Sequence, residues 1–446
     1  MSVLLQFARF KNFTIWDVKR NLSSLIYSDY EIVTLGHYIQ EEKTKIKPFE
    51  SPNDDFKILG VSNKIGLFDN EIKKGKEINQ AYKIVKDGFL AFNPYRINVG
   101  SIGLKTPKQK NDLISPAYVV FSCNEKLLPE YLFLVFKTNT FNEIIKANTK
   151  GSVRQILSYD ILESLKIPLP PLKIQKEIVE NYYKKLDLAN QQLEEIEKKE
   201  KEIEEYLYKE LGIEILSNNE NNKILNFVRF KDLDRWDTQS NSFNLNQIKS
   251  KFEFIKVRKI IDNSQYGLSE KADLNTSNTP ILRMNNIVNG ELDTTSLKYI
   301  NLSNKKLENY ILVKNDILFN RTNSKELVGK SAVFKLNGGY SFASYLIRLR
   351  LNFNLVEPNY FVQILNSFIG RKQINAISRQ ITGQVNINAE ELKNFVIPNP
   401  PLSIQNKIAN HILNIKADIQ ELKQQSIKNK TLALSEFENK VFKSEL

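Results

Sequence analysis

Ile167-Pro-Leu-Pro-Pro-Leu-Lys-Ile-Gln175 and Ile397-Pro-Asn-Pro-Pro-Leu-Ser-Ile-Gln405 are two versions of one phrase, and a long helical pattern follows each. Proline is tolerated in the first turn of a helix, where its missing N–H has no intrahelical partner, so a Pro-Pro pair before periodic apolar residues reads as a helix opening. After the first phrase, Val179, Tyr182, Leu186, Ala189, Leu193, Ile196, Ile203 and Leu207 follow steps of three and four, with Glu200 the misfit. That spacing is a heptad seam. Gly212 stands where a C-terminal cap belongs. The second seam runs Ile408, Ile412, Ile415, Ile419, Leu422, then shows a phase slip before Ile427, Leu434, Phe437 and Val441. Helices of about 40 residues are about 60 Å long. Two narrow apolar stripes in one chain bury each other most simply as an antiparallel coiled coil.

Outward from these phrases the repetition continues. Phe7–Asp17, FARFKNFTIWD, matches Phe227–Asp237, FVRFKDLDRWD. Ser115-Pro-Ala-Tyr118 pairs with Phe342-Ala-Ser-Tyr345, Pro129-Glu-Tyr-Leu132 with Pro358-Asn-Tyr-Phe361, and Lys150-Gly151 with Thr382-Gly383. The repeated unit is far too long for a solenoid, so it is a whole module plus its trailing helix. Period-two stretches at Tyr118–Phe121 and Tyr345–Leu351 predict strands, and Pro129 and Pro358 open short helices. The expected architecture is α/β (α+β): two similar mixed-sheet domains, separated by two long antiparallel helices, in a pseudo-two-fold repeat. The boundaries are a first domain at 1–166, a helix at 167–213, a linker at 214–223, a second domain at 224–397 and a second helix at 398–446.

The formal charge is +13, and its distribution is informative. Lys and Arg outnumber Asp and Glu 24 to 18 in residues 1–166 and 24 to 15 in residues 224–400, but fall behind, 9 to 13, in residues 167–223. The positive excess therefore sits in the two modules, where a polyanion is the natural partner. A single cysteine excludes a disulfide framework, and two histidines offer no zinc-site spacing. No stretch approaches a membrane span, and the chain reads as cytoplasmic.

These anchors, with Leu282-Arg-Met-Asn-Asn-Ile287, Asn315-Asp-Ile-Leu-Phe-Asn-Arg321 and Phe92-Asn-Pro-Tyr-Arg-Ile-Asn-Val-Gly-Ser-Ile-Gly103, carry a resemblance. Along its whole length the chain resembles the specificity subunit of Type I restriction and modification systems. The resemblance implies two target-recognition domains that read the two halves of a bipartite site in double-stranded DNA. It also implies helices that set the spacing, and docking of two adenine methyltransferase subunits and of translocase–nuclease subunits. S-adenosylmethionine, ATP and magnesium would then belong to the partners, and this chain would be a non-catalytic recognition subunit. Two alternatives stand beside it: a recognition subunit of a related Type II or other defence system, and a nucleic-acid-binding scaffold outside restriction and modification.

Two sequence decoys bear on catalysis. Asn399-Pro-Pro-Leu402 resembles the motif with which amino-methyltransferases hold a flipped adenine, but Leu402 replaces the stacking aromatic. Gly329-Lys330-Ser331 resembles the end of a phosphate-binding loop, but Ser324 occupies the position of the first glycine.

For DNA contact, Arg suits guanine and Asn or Gln suits adenine, while Lys holds phosphates. The candidate loops are Asn320-Arg-Thr-Asn-Ser-Lys325 and Asn93-Pro-Tyr-Arg-Ile-Asn98. Features common to modules that read different half-sites serve the DNA backbone or the fold, so Arg96, Arg321 and Lys325 are assigned to phosphates. Tyr95, Arg283, Asn285 and Asn286 are assigned to bases. Asn98, Asn320 and Asn323 complete the loops, and Lys73 and Lys74 offer further phosphate contacts. Arg348 and Arg350 read as a solvated sheet face.

Overall fold

The first module begins and ends on the same small sheet. In order, its elements are β1 (Ile32–Thr34), β2 (Ile39–Glu41), β3 (Asp55–Ser62), β4 (Gly66–Lys74), β5 (Leu90–Phe92), β6 (Ile102–Leu104), β7 (Val119–Cys123), α1 (Pro129–Val135), α2 (Asn139–Asn148), β8 (Lys166–Pro168) and the 40-residue α3 (Leu172–Leu211). β1 pairs antiparallel with β8, Val33 opposite Ile167, so the strand that enters the module is clamped to the strand that leaves it. Between them lies an antiparallel sheet of order β2-β7-β5-β6. A five-stranded sheet is built on the β3–β4 hairpin. This computed structural model describes residues 26–149, 156–215, 248–301, 303, 307–377, 379–381 and 384–443. The paired phrases at 7–17 and 227–237, Lys150-Gly151, Thr382-Gly383 and residues 216–223 of the expected linker lie outside the described residues.

The second module repeats this plan. Its elements are β9 (Phe254–Lys256), β10 (Ile261–Tyr266), β11 (Thr279–Leu282), β12 (Ile317–Asn320), β13 (Ser331–Val333), β14 (Ser341–Phe342), β15 (Leu346–Leu351), α4 (Pro358–Asn366), α5 (Phe368–Ile377), β16 (Gln384–Asn386), β17 (Val396–Pro398) and the 40-residue α6 (Leu402–Val441). β9 is clamped to β17, Ile255 opposite Ile397. The main sheet has the order β10-β15-β12-β13, again first strand, fourth, second, third. The two modules thus share one clamp and one main-sheet order, while the five-stranded sheet of the first is replaced by smaller sheets in the second.

Each core is aromatic and aliphatic. In the first module Phe92, Phe121, Phe136 and Phe141 are fully buried, with Phe136 and Phe141 edge to face at 5.1 Å. Each such ring contributes about 1.5–3 kcal/mol by leaving water. Tyr131 and Tyr360, the tyrosines of the repeated Pro-x-Tyr phrases, donate their hydroxyls to Pro168 O at 2.8 Å and Pro398 O at 2.7 Å. The repeated sequence is therefore a repeated bond between the first module helix and the exit strand.

The chain divides into two compact units, residues 1–195 with 422–446 and residues 196–421, so each unit contains a piece of both long helices. In the first unit the helices run antiparallel: Lys185 pairs with Glu436, Gln192 with Gln425, and Ser426 Oγ donates to Ala189 O at 3.0 Å. Glu438 accepts from Thr140 N and Oγ1, at 2.7 and 2.6 Å, in the first turn of α2, where a carboxylate meets unpaired amides. In the second unit the pairing is again antiparallel, Lys199 with Asp418 and Glu210 with Lys407. Glu204 accepts from Phe368 N at the start of α5, the counterpart of the Glu438 bond. Gly212, at φ +58°, ends α3 as expected, with Ile213 N donating to Tyr208 O.

Three sequence expectations need correction. Residues 167–168, expected in the first helix, and Pro398, expected in the second, belong to strands, and the helices begin at Leu172 and Leu402. The seam of α6 has no slip before Ile427: Ile427 is 67% exposed, and Ser426 and Ala433 are buried in its place. In α3, Leu193 is exposed while Gln192 meets Gln425 and Asn429. Small and polar residues hold seam positions that a search for large apolar side chains passes over. Among the described residues no helix is long and apolar enough to cross a membrane.

Candidate nucleic-acid interface

In the first module the Asn93-Pro-Tyr-Arg turn follows directly from β5. Asn93 Oδ1 accepts from Tyr95 N at 3.0 Å and Asn93 O from Arg96 N at 3.0 Å, an Asx turn that leaves Tyr95 and Arg96 exposed. Asn98 is half-buried in the short Ile97–Val99 turn. Lys137, which sequence reasoning missed, donates to Gly100 O at 3.1 Å and Asn63 O at 3.5 Å and lies over the Phe133 ring. It ties this turn to the tip of the β3–β4 hairpin, and burial lowers its pKa. Its only sequence signal is a lysine inside an otherwise apolar helix end. Lys73 and Lys74 sit at the end of β4, paired with Glu71 and Asp55 at 2.9 Å. Such exposed pairs are weak, so both ammonium groups remain exchangeable toward a phosphate.

In the second module four chain segments meet at one end of the main sheet. Gly267 N donates to Leu346 O, Leu268 N to Phe342 O, Ala343 N to Leu282 O, and Arg321 N to Tyr345 O. A Cβ at Gly267 would lie 2.3 Å from Ala343 O, so the crossing of these segments requires glycine there. Arg283, Asn285, Arg321 and Asn323 are brought together around this end, with Lys325 exposed beyond it. Tyr266 and Tyr345, 42% and 49% exposed, flank it; neither was among the contact candidates read from the sequence, where a strand-end tyrosine reads as core.

Two of the sequence candidates are structural. Asn286 is buried; its Oδ1 accepts from Arg283 N, and its Nδ2 donates to Asp293 O at 2.8 Å and Ser296 O at 3.3 Å. Asn320 is fully buried, with Nδ2 donating to Leu327 O. Both amides staple loops and are removed from the surface that a duplex can reach. Arg348 is also no solvated residue: it is 3% exposed, lies over Phe342, donates to Ile311 O and Gln265, and shares the buried Asp316 with Arg350. Burial lowers its pKa, and Asp316 opposes that shift. Ser331 opens strand β13, whereas a phosphate-binding loop leads into a helix.

The geometry is that of two modules, each with a polar, partly aromatic loop set at one end of its main sheet. Comparison with known proteins gives the family. Residues 27–198 and 241–430 match the Type I restriction modification DNA specificity domain. A putative type I restriction enzyme MjaX specificity subunit of Methanocaldococcus jannaschii is 28% identical over 212 residues, 45% of this chain and 49% of that protein. The EcoKI specificity subunit of Escherichia coli is 25% identical over 289 residues, 64% of this chain and 57% of its own. These two matches span about half of those relatives' lengths. A chain from a solved structure of a type I R-M system, described in terms of complex assembly and conformational transition, shares the fold with a TM-score of 0.59 at 15% identity. It covers 93% of this chain and 98% of its own. With the family domain matched once in each repeat, this chain belongs to the Type I restriction–modification DNA specificity family.

Proposed function

We propose that this chain is the DNA-recognition subunit of a Type I restriction–modification complex. Each module reads one half of a bipartite, asymmetric site, and the long helices hold the interval between the halves. Adenine methyltransferase and translocase–nuclease subunits dock on the chain and bring S-adenosylmethionine, ATP and magnesium with them. The observation that carries the reading is the duplicated module. One sheet order, one strand clamp and one Tyr-to-exit-strand bond occur twice, and each module has a positive excess and loops that differ from those of the other. Repeated scaffolds with different loops suit two similar but unequal targets.

Selection from a library of randomised duplexes by the intact chain, alone and with its methyltransferase, tests this. The expected product is a two-part motif with an unspecified interval. Replacing residues 35–165, which lie between the clamp strands, with the same region of a relative changes one half of the motif. A change in both halves, in a complex that still assembles, overturns independent reading by the modules.

A further inference from the structure

Arg321 is the stacked arginine of the proposed DNA surface in the second module. Its guanidinium lies over the ring of Tyr266, 5.0 Å from the centroid, and the Tyr266 hydroxyl accepts from Ala389 N at 2.8 Å, so the platform itself is pinned. The backbone on either side is fixed as well, through Arg321 N to Tyr345 O at 3.0 Å and Ile387 N to Arg321 O at 2.9 Å. Arg321 Nε is turned inward, buried and, like that of Arg283, without a hydrogen-bond partner among the described residues. A phosphate needs only a positive charge within reach, which exposed Lys325 supplies. A planar fork held in one orientation on a ring is what bidentate pairing to a guanine edge requires.

The other module sharpens the contrast. Pro94 occupies the equivalent place, since Leu157 N donates to Pro94 O as Ile387 N does to Arg321 O, and the arginine of that turn, Arg96, stands two residues further on and is exposed. A stacked arginine at this place in one module and a proline in the other is a difference between readers of different half-sites, not a common grip on the DNA backbone. We propose that Arg321, oriented by Tyr266, is a specificity-determining residue that reads a guanine in the half-site of the second module. The inference rests on the DNA-recognition reading above and reverses the phosphate role expected from sequence.

The test is duplex selection and titration with the full-length chain. The native protein should require guanine at one position of one half-site. Arg321→Lys, which keeps the charge and loses the fork, should erase that preference and weaken the selected site about tenfold to a hundredfold, with affinity for unrelated duplexes nearly unchanged. Tyr266→Leu should lower the same preference, whereas Tyr266→Phe, which keeps the ring, should retain it. Lys325→Ala should instead weaken all duplexes alike and reduce the salt slope by about one. Uniform weakening by Arg321→Lys, or full guanine preference in a folded Tyr266→Leu variant, overturns the assignment while leaving the DNA-recognition reading intact. A native chain that selects no sequence at all overturns both.

Discussion

Gln175 and Gln405 make the same set of bonds in the two halves of the chain. Gln175 Oε1 accepts from Leu128 N at 2.8 Å, and its Nε2 donates to Lys126 O and Pro170 O. Gln405 Oε1 accepts from Glu357 N at 2.9 Å, and its Nε2 donates to Leu355 O and Pro400 O. Both side chains are buried, so each amide satisfies backbone groups that water cannot reach. The final Gln of the repeated phrase is thus a latch between the long helix and the loop that opens the first module helix. Gln405→Ala orphans three backbone groups and should cost about 2–3 kcal/mol in denaturant unfolding, against under about 0.5 kcal/mol for the exposed neighbour Asn406→Ala. Equal effects of the two changes would refute the latch. The phrase was visible in sequence, but the reason for its glutamine was not. The same limit misled the reading of Asn286 and Asn320, because an asparagine in a polar loop looks alike whether it faces a base or a backbone carbonyl. Only its partners separate the two, and those come from distant segments.

The long helices show where periodicity informs and where it fails. Proline pairs, spacing and the Gly212 cap located both helices to within a few residues. The seam itself was harder, since Ala189 and Ser426 meet closely enough for Ser426 Oγ to reach Ala189 O, and Gln192 bridges Gln425 and Asn429. A small or polar layer specifies register at some cost in apolar burial. This makes opposite predictions from a seam resuming at Ile427. Ser426→Leu should overpack against Ala189 and destabilise by about 1–3 kcal/mol. Ile427→Ser, at a 67% exposed position, should change stability by less than about 0.5 kcal/mol. Thermal unfolding of the two variants decides between the seams, and a reversed order of damage would restore the sequence-based one.

Over the whole molecule, the chain repeats a module, a clamp and a helix, and each compact unit draws on both helices. If the helices set the interval between half-sites, that interval should follow their length. Seven residues keep the heptad phase and add about 10 Å. The Lys199–Asp418 pair gives the register for inserting them, after Lys198 in α3 and after Asp418 in α6, so that both helices lengthen at facing positions. DNA rises about 3.4 Å per base pair, so the preferred interval should grow by about three base pairs while both half-sites stay the same. Three base pairs is close to a third of a helical turn, so one module is also carried around the duplex and affinity should fall even at the new optimum. Selection from a library of fixed half-sites with intervals of varied length reads this directly. A variant that folds and assembles but keeps the original interval would show that something other than these two helices measures the distance.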